Sequence, residues 1–350
     1  MINSKLIVSS SFSVKNALTH FNNSADHLLF VVDENNFLLG TLTDGDIRRG
    51  IIKGLRIENN IVDFLNTSFK SVLNKADLKT EKVKSLLIDG IVIIPVLDSK
   101  GRIIELINLS KLKAIVPVTA IIMAGGRGIR LMPLTKDRPK PMLEIDGRPI
   151  IEHVVDRLIS FGVSDIYISV RYLSDQIKEY FGNGDNKNIN IKYIDEDEPL
   201  GTMGAISVLK NNKKLQDNLL VLNSDLLTNI DFESMFNKHV LNKSDFTIAS
   251  IPYRIDIPYA IMETKNSEIT DILEKPTYNY HVNAGIYLFK AELIQELKDN
   301  SYMDAPDFAK KMIEMPNKKL TFYQILGYWK DIGKHEDLIE ARENFERIKF

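Results

Sequence analysis

Ala124-Gly125-Gly126-Arg127-Gly128-Ile129-Arg130-Leu131-Met132-Pro133-Leu134-Thr135 decides how the chain reads. An apolar run at residues 120–123 precedes it and reads as a strand. Lys136-Asp137-Arg138 then leads into Pro139-Lys140-Pro141-Met142. Glycines directly after a strand let the backbone approach a phosphate and turn N–H groups toward it. Ala124, Gly125, Gly126 and Gly128 are therefore candidate nucleotide-binding positions. A glycine-rich loop alone is a weak signal. The spacing is not that of a dinucleotide fingerprint, because Arg130 intrudes, and no Gly-Lys-Ser/Thr closes a Walker loop.

Outward from this loop, strands and helices alternate. Residues 120–123, 166–170, 191–193, 218–222 and 246–251 read as strands, and 150–161, 174–181, 203–209 and 232–242 as helices. Such alternation predicts an α/β fold, a doubly wound and mainly parallel sheet of Rossmann-like type. Ligands of such sheets bind at the carboxyl ends of the strands.

The run from the glycine loop through Arg130, Pro133-Leu134-Thr135 and Pro139-Lys140-Pro141-Met142 resembles the signature of sugar-1-phosphate nucleotidylyltransferases. Four further blocks follow in that family's order. They are Glu198-Pro199-Leu200-Gly201-Thr202-Met203-Gly204-Ala205, then Leu222-Asn223-Ser224-Asp225, then Glu274-Lys275-Pro276 with Asn283-Ala284-Gly285-Ile286-Tyr287, then Tyr328-Trp329-Lys330-Asp331-Ile332-Gly333. The resemblance spans residues 118–350 and implies a reaction. A sugar-1-phosphate oxygen attacks the α-phosphorus of a nucleoside triphosphate and pyrophosphate leaves. A phosphate oxygen is already a nucleophile, so positioning and charge neutralisation carry the catalysis.

The resemblance also implies roles. Arg130 holds the departing phosphates and Lys140 meets the α-phosphate, making these the catalytic pair. Gly201 and Thr202 lie on the nucleotide side. Asp225 and Asp331 bind Mg2+, which prefers oxygen ligands. Glu274 hydrogen-bonds sugar hydroxyls, Lys275 meets the sugar phosphate, and Asn283 and Gly285 line the sugar pocket. Each residue taken singly has a plainer reading. Asp225 could be a cap, Asp331 a turn residue, Lys140 a solvated lysine, and Glu274–Lys275 an exposed ion pair. The family usually carries Thr or Ser where Ile129 stands, so altered phosphate contacts or slower turnover are expected. No hexapeptide repeat follows the catalytic segment, so no attached acetyltransferase is expected.

The front third contains an internal repeat. Residues 30–40 and 95–104 both read as strand, polar turn, strand, with Asp33 and Asp98 in equivalent places. Helical stretches flank them at 14–22, 44–53, 81–89 and, weakly, 109–113. Gly40-Thr41-Leu42-Thr43-Asp44-Gly45-Asp46-Ile47 and this repeat resemble a tandem CBS pair of α+β type, at 1–58 and 59–116, ahead of a catalytic domain at 117–350. Such pairs often bind adenine nucleotides, here through Thr43 and Asp46, and dimerise. In the second copy Lys111 stands where the ribose-binding Asp would be. Thr43 and Asp46 also read as a capping box. Pro117 interrupts the preceding helical pattern and marks the boundary.

The 350 residues carry a net charge of −2 and no cysteine. Thiol catalysis, disulfides and cysteine-bound zinc are excluded. No field attracts nucleic acid or an anionic membrane. No signal-peptide core or membrane span is legible, so a cytoplasmic location is expected.

The base is the finer question. In uridylyltransferases of this fold a Gln five residues before the Leu-Gly-Thr glycine reads uracil. Glu196 holds that place here. A carboxylate offers two acceptors to the adjacent N1–H and N2 amino donors of guanine. GTP is the expected donor, unless Asp195-Glu196-Asp197-Glu198 is simply a solvated acidic turn. The union of front pair and catalytic segment is similar to bacterial glucosamine-1-phosphate guanylyltransferases of legionaminic acid biosynthesis. Mannose- and heptose-1-phosphate guanylyltransferases, uridylyl- or thymidylyltransferases, and an inactive sugar-nucleotide sensor remain as alternatives.

Overall fold

The computed structural model describes residues 4–23 and 27–345. The outer ends of the expected domains, 1–3 and 346–350, lie outside the described residues. The chain divides into two compact units, Met1–Ile115 and Val116–Phe350.

The first unit runs β1 (Ile7–Ser9), α1 (Val14–Asn23), β2 (Leu28–Val32), β3 (Leu38–Thr43), α2 (Asp44–Ile52), α3 (Thr80–Ile88), β4 (Ile93–Leu97) and β5 (Ile103–Asn108). β1–β2–β3 form one sheet and β4–β5 a hairpin. The two hairpins repeat in detail. Asp33 Oδ1 accepts from the Asn35 and Phe37 N–H groups, and Asp98 Oδ1 from those of Lys100 and Arg102. Side chains alternate across β2. Leu29 and Val31 join Val14, Ala17, Phe21 and Ile47 in one core, while Phe30 and Val32 meet Leu97 and Ile103 of the second hairpin in another. The expected helix at 109–113 is only a 3₁₀ turn, Leu109–Lys111. Five residues ahead of Pro117 are too few to repay helix nucleation.

The second unit contains β6 (Thr119–Met123), β7 (Glu144–Ile145), β8 (Arg148–Pro149), α4 (Ile150–Ser160), β9 (Asp165–Val170), α5 (Ser174–Phe181), β10 (Asn190–Asp195), α6 (Gly201–Gly204), β11 (Asn218–Asn223), β12 (Leu226–Thr228) and α7 (Phe232–Leu241). Then come β13 (Phe246–Asp256), β14 (Ile261–Lys265), β15 (Glu268–Leu273), β16 (Thr277–Lys290), α8 (Ala305–Glu314), β17 (Leu320–Gln324), β18 (Trp329–Asp331) and α9 (His335–Asn344). Seven strands form the sheet in the order β10-β9-β6-β11-β16-β13-β17. Only β16 runs against its neighbours β11 and β13; β10, β9, β6 and β11 pair in parallel, as do β13 and β17. β6 is buried on both faces and reads as a continuous apolar run, as central parallel strands do. The helix expected at 203–209 is four residues of α-helix followed by 3₁₀ geometry, Ala205–Leu209. Among the described residues no helix is long and apolar enough to cross a membrane.

Candidate active site

Four parallel strands end on one edge, and backbone bonds tie their exits together. Ala124 N–H donates to Ser169 O at 2.8 Å, Ser224 N–H to Met123 O at 3.1 Å, and Glu196 N–H to Val170 O at 3.0 Å. The phosphate loop, the Asp225 turn and the acidic turn after β10 thereby share one edge. Within the loop, Gly128 has φ +63, and an added Cβ would lie 2.9 Å from Lys140 Cβ and 3.0 Å from Thr135 Cγ2. Buried Thr135 donates its hydroxyl to Gly128 O at 2.9 Å. Thr135 and Lys140, from the Pro-Leu-Thr and Pro-Lys-Pro blocks, thus brace the glycine loop.

β12 pairs antiparallel with β18, and Leu226 faces Asp331. Ile332 N–H donates to Asp225 O at 3.0 Å. This small ladder sets two aspartates, 106 positions apart by number, around Lys140. Lys140 Nζ donates to Asp225 Oδ2 and lies 3.8 Å from Asp331 Oδ1. Asp225 Oδ1 and Asp331 Oδ1 are buried without a hydrogen-bond partner. Burial pushes the Asp331 carboxyl above its ordinary range and the Asp225 charge adds to the rise, while Lys140 and Arg130 oppose it. Two orphaned carboxylate oxygens beside a cation fit a hard divalent metal. Among the described residues no group of three or more His, Asp or Glu gathers to hold one, so the pair is the candidate.

Arg130 is exposed and sits beside Gly333, where an added Cβ would lie 3.7 Å from both terminal guanidinium nitrogens. A cleft of about 530 Å³ opens here, bounded by Gly126, Gly128, Arg130, Lys140, Asp225 and Gly333. Arg127 and Arg171 also line it, and the sequence reading passed over both. Arg171 immediately follows the carboxyl end of β9, which is the signal that could have found it. A larger cleft of about 750 Å³ lies by Asn218, the opposite end of β11, and contains none of the motif residues.

Glu196 is half-buried. Its Oε1 accepts from the Ser169 hydroxyl, and its Oε2 from Leu200 N–H at 3.2 Å. Gly125 approaches so closely that a Cβ would lie 2.8 Å from Oε1. Gly201 has φ +71, and an added Cβ would lie 2.6 Å from Asp304 Oδ1 and 2.7 Å from Met303 O. It opens α6, with Thr202 next. Gly285 lies beside Asn223, two residues before Asp225. Gly285 N–H donates to Asn283 Oδ1 at 2.9 Å, and a Cβ on Gly285 would meet Asn223 Nδ2 at 2.7 Å. Glu274 and Lys275, by contrast, are exposed between β15 and β16, and among the described residues they form no ion pair with each other. In the other unit, Thr43 and Asp46 form the capping box of α2, and Asp46 Oδ1 takes the Arg49 guanidinium at 2.5 Å.

A braced glycine loop with an arginine and a lysine, set before two carboxylates on the carboxyl edge of a mainly parallel sheet, is the site of a nucleotidyltransferase. Residues 119–347 match the nucleotidyl transferase family, and the chain belongs to it. Residues 1–53 match the CBS domain. The bifunctional protein GlmU of Methanococcus maripaludis is 34% identical over 239 residues, covering 65% of this chain and 54% of that protein. This chain thus spans about half the length of the GlmU relatives it matches. The D-glycero-alpha-D-manno-heptose 1-phosphate guanylyltransferase of Aneurinibacillus thermoaerophilus is 32% identical over 232 residues, covering 65% of this chain and 98% of that one. Crystalline HddC from Yersinia pseudotuberculosis, complexed with GMP-PN, superposes with a TM-score of 0.50 at 26% identity, covering 65% of this chain and 99% of that one.

Proposed function

We propose that the chain is a sugar-1-phosphate guanylyltransferase that transfers GMP from GTP to a hexosamine or hexose 1-phosphate, with glucosamine 1-phosphate the preferred acceptor. The observation that carries the base assignment is the Glu196 carboxylate against Gly125 of the phosphate loop. There its two oxygens meet the paired donors of guanine and disfavour the carbonyl acceptors of uracil. The guanylyltransferase and the GMP-PN-bound relative support that base. The sugar assignment rests on the union of CBS and catalytic segments.

A sugar-1-phosphate oxygen forms the new bond to the α-phosphorus as the bond to the bridging oxygen breaks and pyrophosphate departs. Arg130, exposed at the mouth of the cleft, holds the leaving phosphates with its fork of donors. Lys140 meets the α-phosphate. Ala124, Gly125, Gly126 and Gly128 offer backbone N–H groups. Gly201 and Thr202 flank the nucleotide, Asn283 and Gly285 line the sugar pocket, Glu274 hydrogen-bonds sugar hydroxyls, and Lys275 meets the sugar phosphate. Asp225 and Asp331 are the residues that would hold Mg2+, which supplies neutralisation of the triphosphate charge. Ile129 leaves only its N–H in the loop.

The front unit is read as two CBS domains, 1–58 and 59–116, that dimerise and take an adenine nucleotide at Thr43 and Asp46. Calorimetry of the full chain with AMP, ADP and ATP tests this. Absence of heat at millimolar ligand reduces the pair to an assembly module. The decisive experiment for the catalytic unit is pyrophosphate release across GTP, UTP, dTTP, CTP and ATP with glucosamine, glucose, mannose and heptose 1-phosphates. GTP with glucosamine 1-phosphate is expected to be fastest. A preference for UTP or dTTP overturns the base assignment, and no turnover with any pair makes the chain a sensor.

A further inference from the structure

The Glu196 carboxylate is held from several directions, and most of the holding comes from one strand. The last two residues of β9 grip Glu196 twice. Val170 O accepts its backbone N–H at 3.0 Å, and the Ser169 hydroxyl donates to Oε1. Ser169 is fully buried, at 0% exposure. No bulk water reaches its hydroxyl to compete for that bond, and none can replace it when it is lost. The second oxygen takes Leu200 N–H at 3.2 Å. That bond ties the carboxylate to the turn leading into Gly201. Gly125 leaves room beside the carboxylate, since any Cβ there would press on Oε1 at 2.8 Å.

A glutamate side chain has three rotatable bonds, and a free one samples many rotamers. To accept two hydrogen bonds from adjacent donors on one base edge, both oxygens must lie in a fixed plane. One donor on each oxygen leaves each a second lone pair for ligand. The bonds from Ser169 and Leu200 therefore orient the carboxylate without consuming its capacity to accept. Selectivity of this type is sensitive to small displacements, because the rejected base is the one that leaves polar groups unpaired only when the reader cannot move aside.

We propose that Ser169 is a specificity-positioning residue, acting through Glu196 to hold its carboxylate in the orientation that favours guanine over uracil. The inference rests on the reading of Glu196 as the base-contacting group. Ser169 touches no substrate. Its removal therefore raises KM for GTP and spares kcat at saturation, and the KM for sugar 1-phosphate stays as it was.

The test is kcat/KM for GTP and UTP in the full-length protein, in wild type, Ser169→Ala, Ser169→Cys, Ser169→Thr, Glu196→Ala and Ser169→Ala/Glu196→Ala. Ser169→Cys leaves no cavity and offers a weaker donor, so it guards against a defect from lost volume, and the melting temperature of each variant reports folding. Loss of one hydrogen bond to a charged group predicts that the GTP/UTP ratio falls about tenfold in Ser169→Ala and Ser169→Cys, through KM for GTP. Ser169→Thr retains the hydroxyl and the ratio. In the Glu196→Ala background, Ser169→Ala produces no further fall. If Glu196→Ala lowers the ratio but Ser169→Ala and Ser169→Cys leave it unchanged, or if their loss is entirely in kcat, the positioning role is wrong. If Glu196→Ala itself leaves the ratio untouched, the base-reading assignment fails first.

Discussion

Asp225→Asn separates a chemical role from a structural one, because the substitution preserves shape and removes charge. In the folded protein Asp225 Oδ2 accepts from Lys140 and Oδ1 is buried without a partner. An amide in its place either turns its NH2 toward the Lys140 ammonium, donor against donor, or offers a neutral carbonyl. Removing one member of a fully buried ion pair costs about 3–5 kcal/mol. Here the two side chains retain 12% and 19% exposure, and Asp331 Oδ1 waits 3.8 Å from the same ammonium. The expected loss of stability is therefore smaller, about 1–2 kcal/mol. The loss in catalysis is larger. Of two carboxylates that would hold the metal, one disappears, and removal of a single electrostatic contact in a preorganised site typically costs about 3–4 kcal/mol. At 1.36 kcal/mol per decade this is a fall of about 10²–10³ in turnover. The assay is steady-state pyrophosphate release titrated with Mg2+, paired with chemical denaturation. Asp231→Ala serves as the control, because Asp231 caps α7, accepting from Ser234 N–H at 3.0 Å, and does not line the cleft. It should lose stability and keep its rate. An Asp225→Asn enzyme within tenfold of wild-type turnover at saturating Mg2+ refutes the assignment.

Three further outcomes follow from the geometry. Gly285→Ala forces φ +70 on a residue with a Cβ and drives that Cβ to 2.7 Å from Asn223 Nδ2, so about 2–3 kcal/mol of stability should go, with a raised KM for sugar 1-phosphate; an unchanged denaturation midpoint would falsify the strain argument. Burial holds the His239 imidazole, 2% exposed, down to about 4, with the Lys290 charge adding to the effect. The unfolded chain takes up this proton first, near 6.5, so stability is present above that pH and is lost toward pH 4, by about 3 kcal/mol at most. His239→Gln should flatten the curve between pH 6.5 and 4.5, and a wild-type curve already flat there contradicts it. Asp46→Ala removes the carboxylate half of the α2 capping box, the bond from Thr43 N–H, together with the Arg49 contact, which should cost the front unit about 1–2 kcal/mol and abolish any heat of adenine-nucleotide binding. Retention of full affinity would move the nucleotide away from Asp46.

Much of this protein is written in local sequence. Alternating apolar strands and amphipathic helices announce a mainly parallel sheet, because period 2 and period 3.6 are properties of neighbouring residues. The glycine loop is legible for the same reason: a turn after a strand is a local event, and Gly128 takes the φ of +63 that favours glycine. The duplicated hairpins, with Asp33 and Asp98 each folding their own turn, are local too. What sequence order could not convey is convergence. That Asp225 and Asp331 share Lys140 depends on the β12–β18 ladder, whose strands are three residues long and too short to announce themselves. The antiparallel insertion of β16 beside β11 also escapes a local reading, since pairing partners are chosen by packing across the sheet. The same holds for Ser169. One serine in a strand has no signature, and only the pairing of β9 with β10 brings its hydroxyl to Glu196. The types of group at the site came from sequence, whereas their mutual orientation, on which charge neutralisation and base choice depend, came from tertiary contacts between segments far apart in the chain.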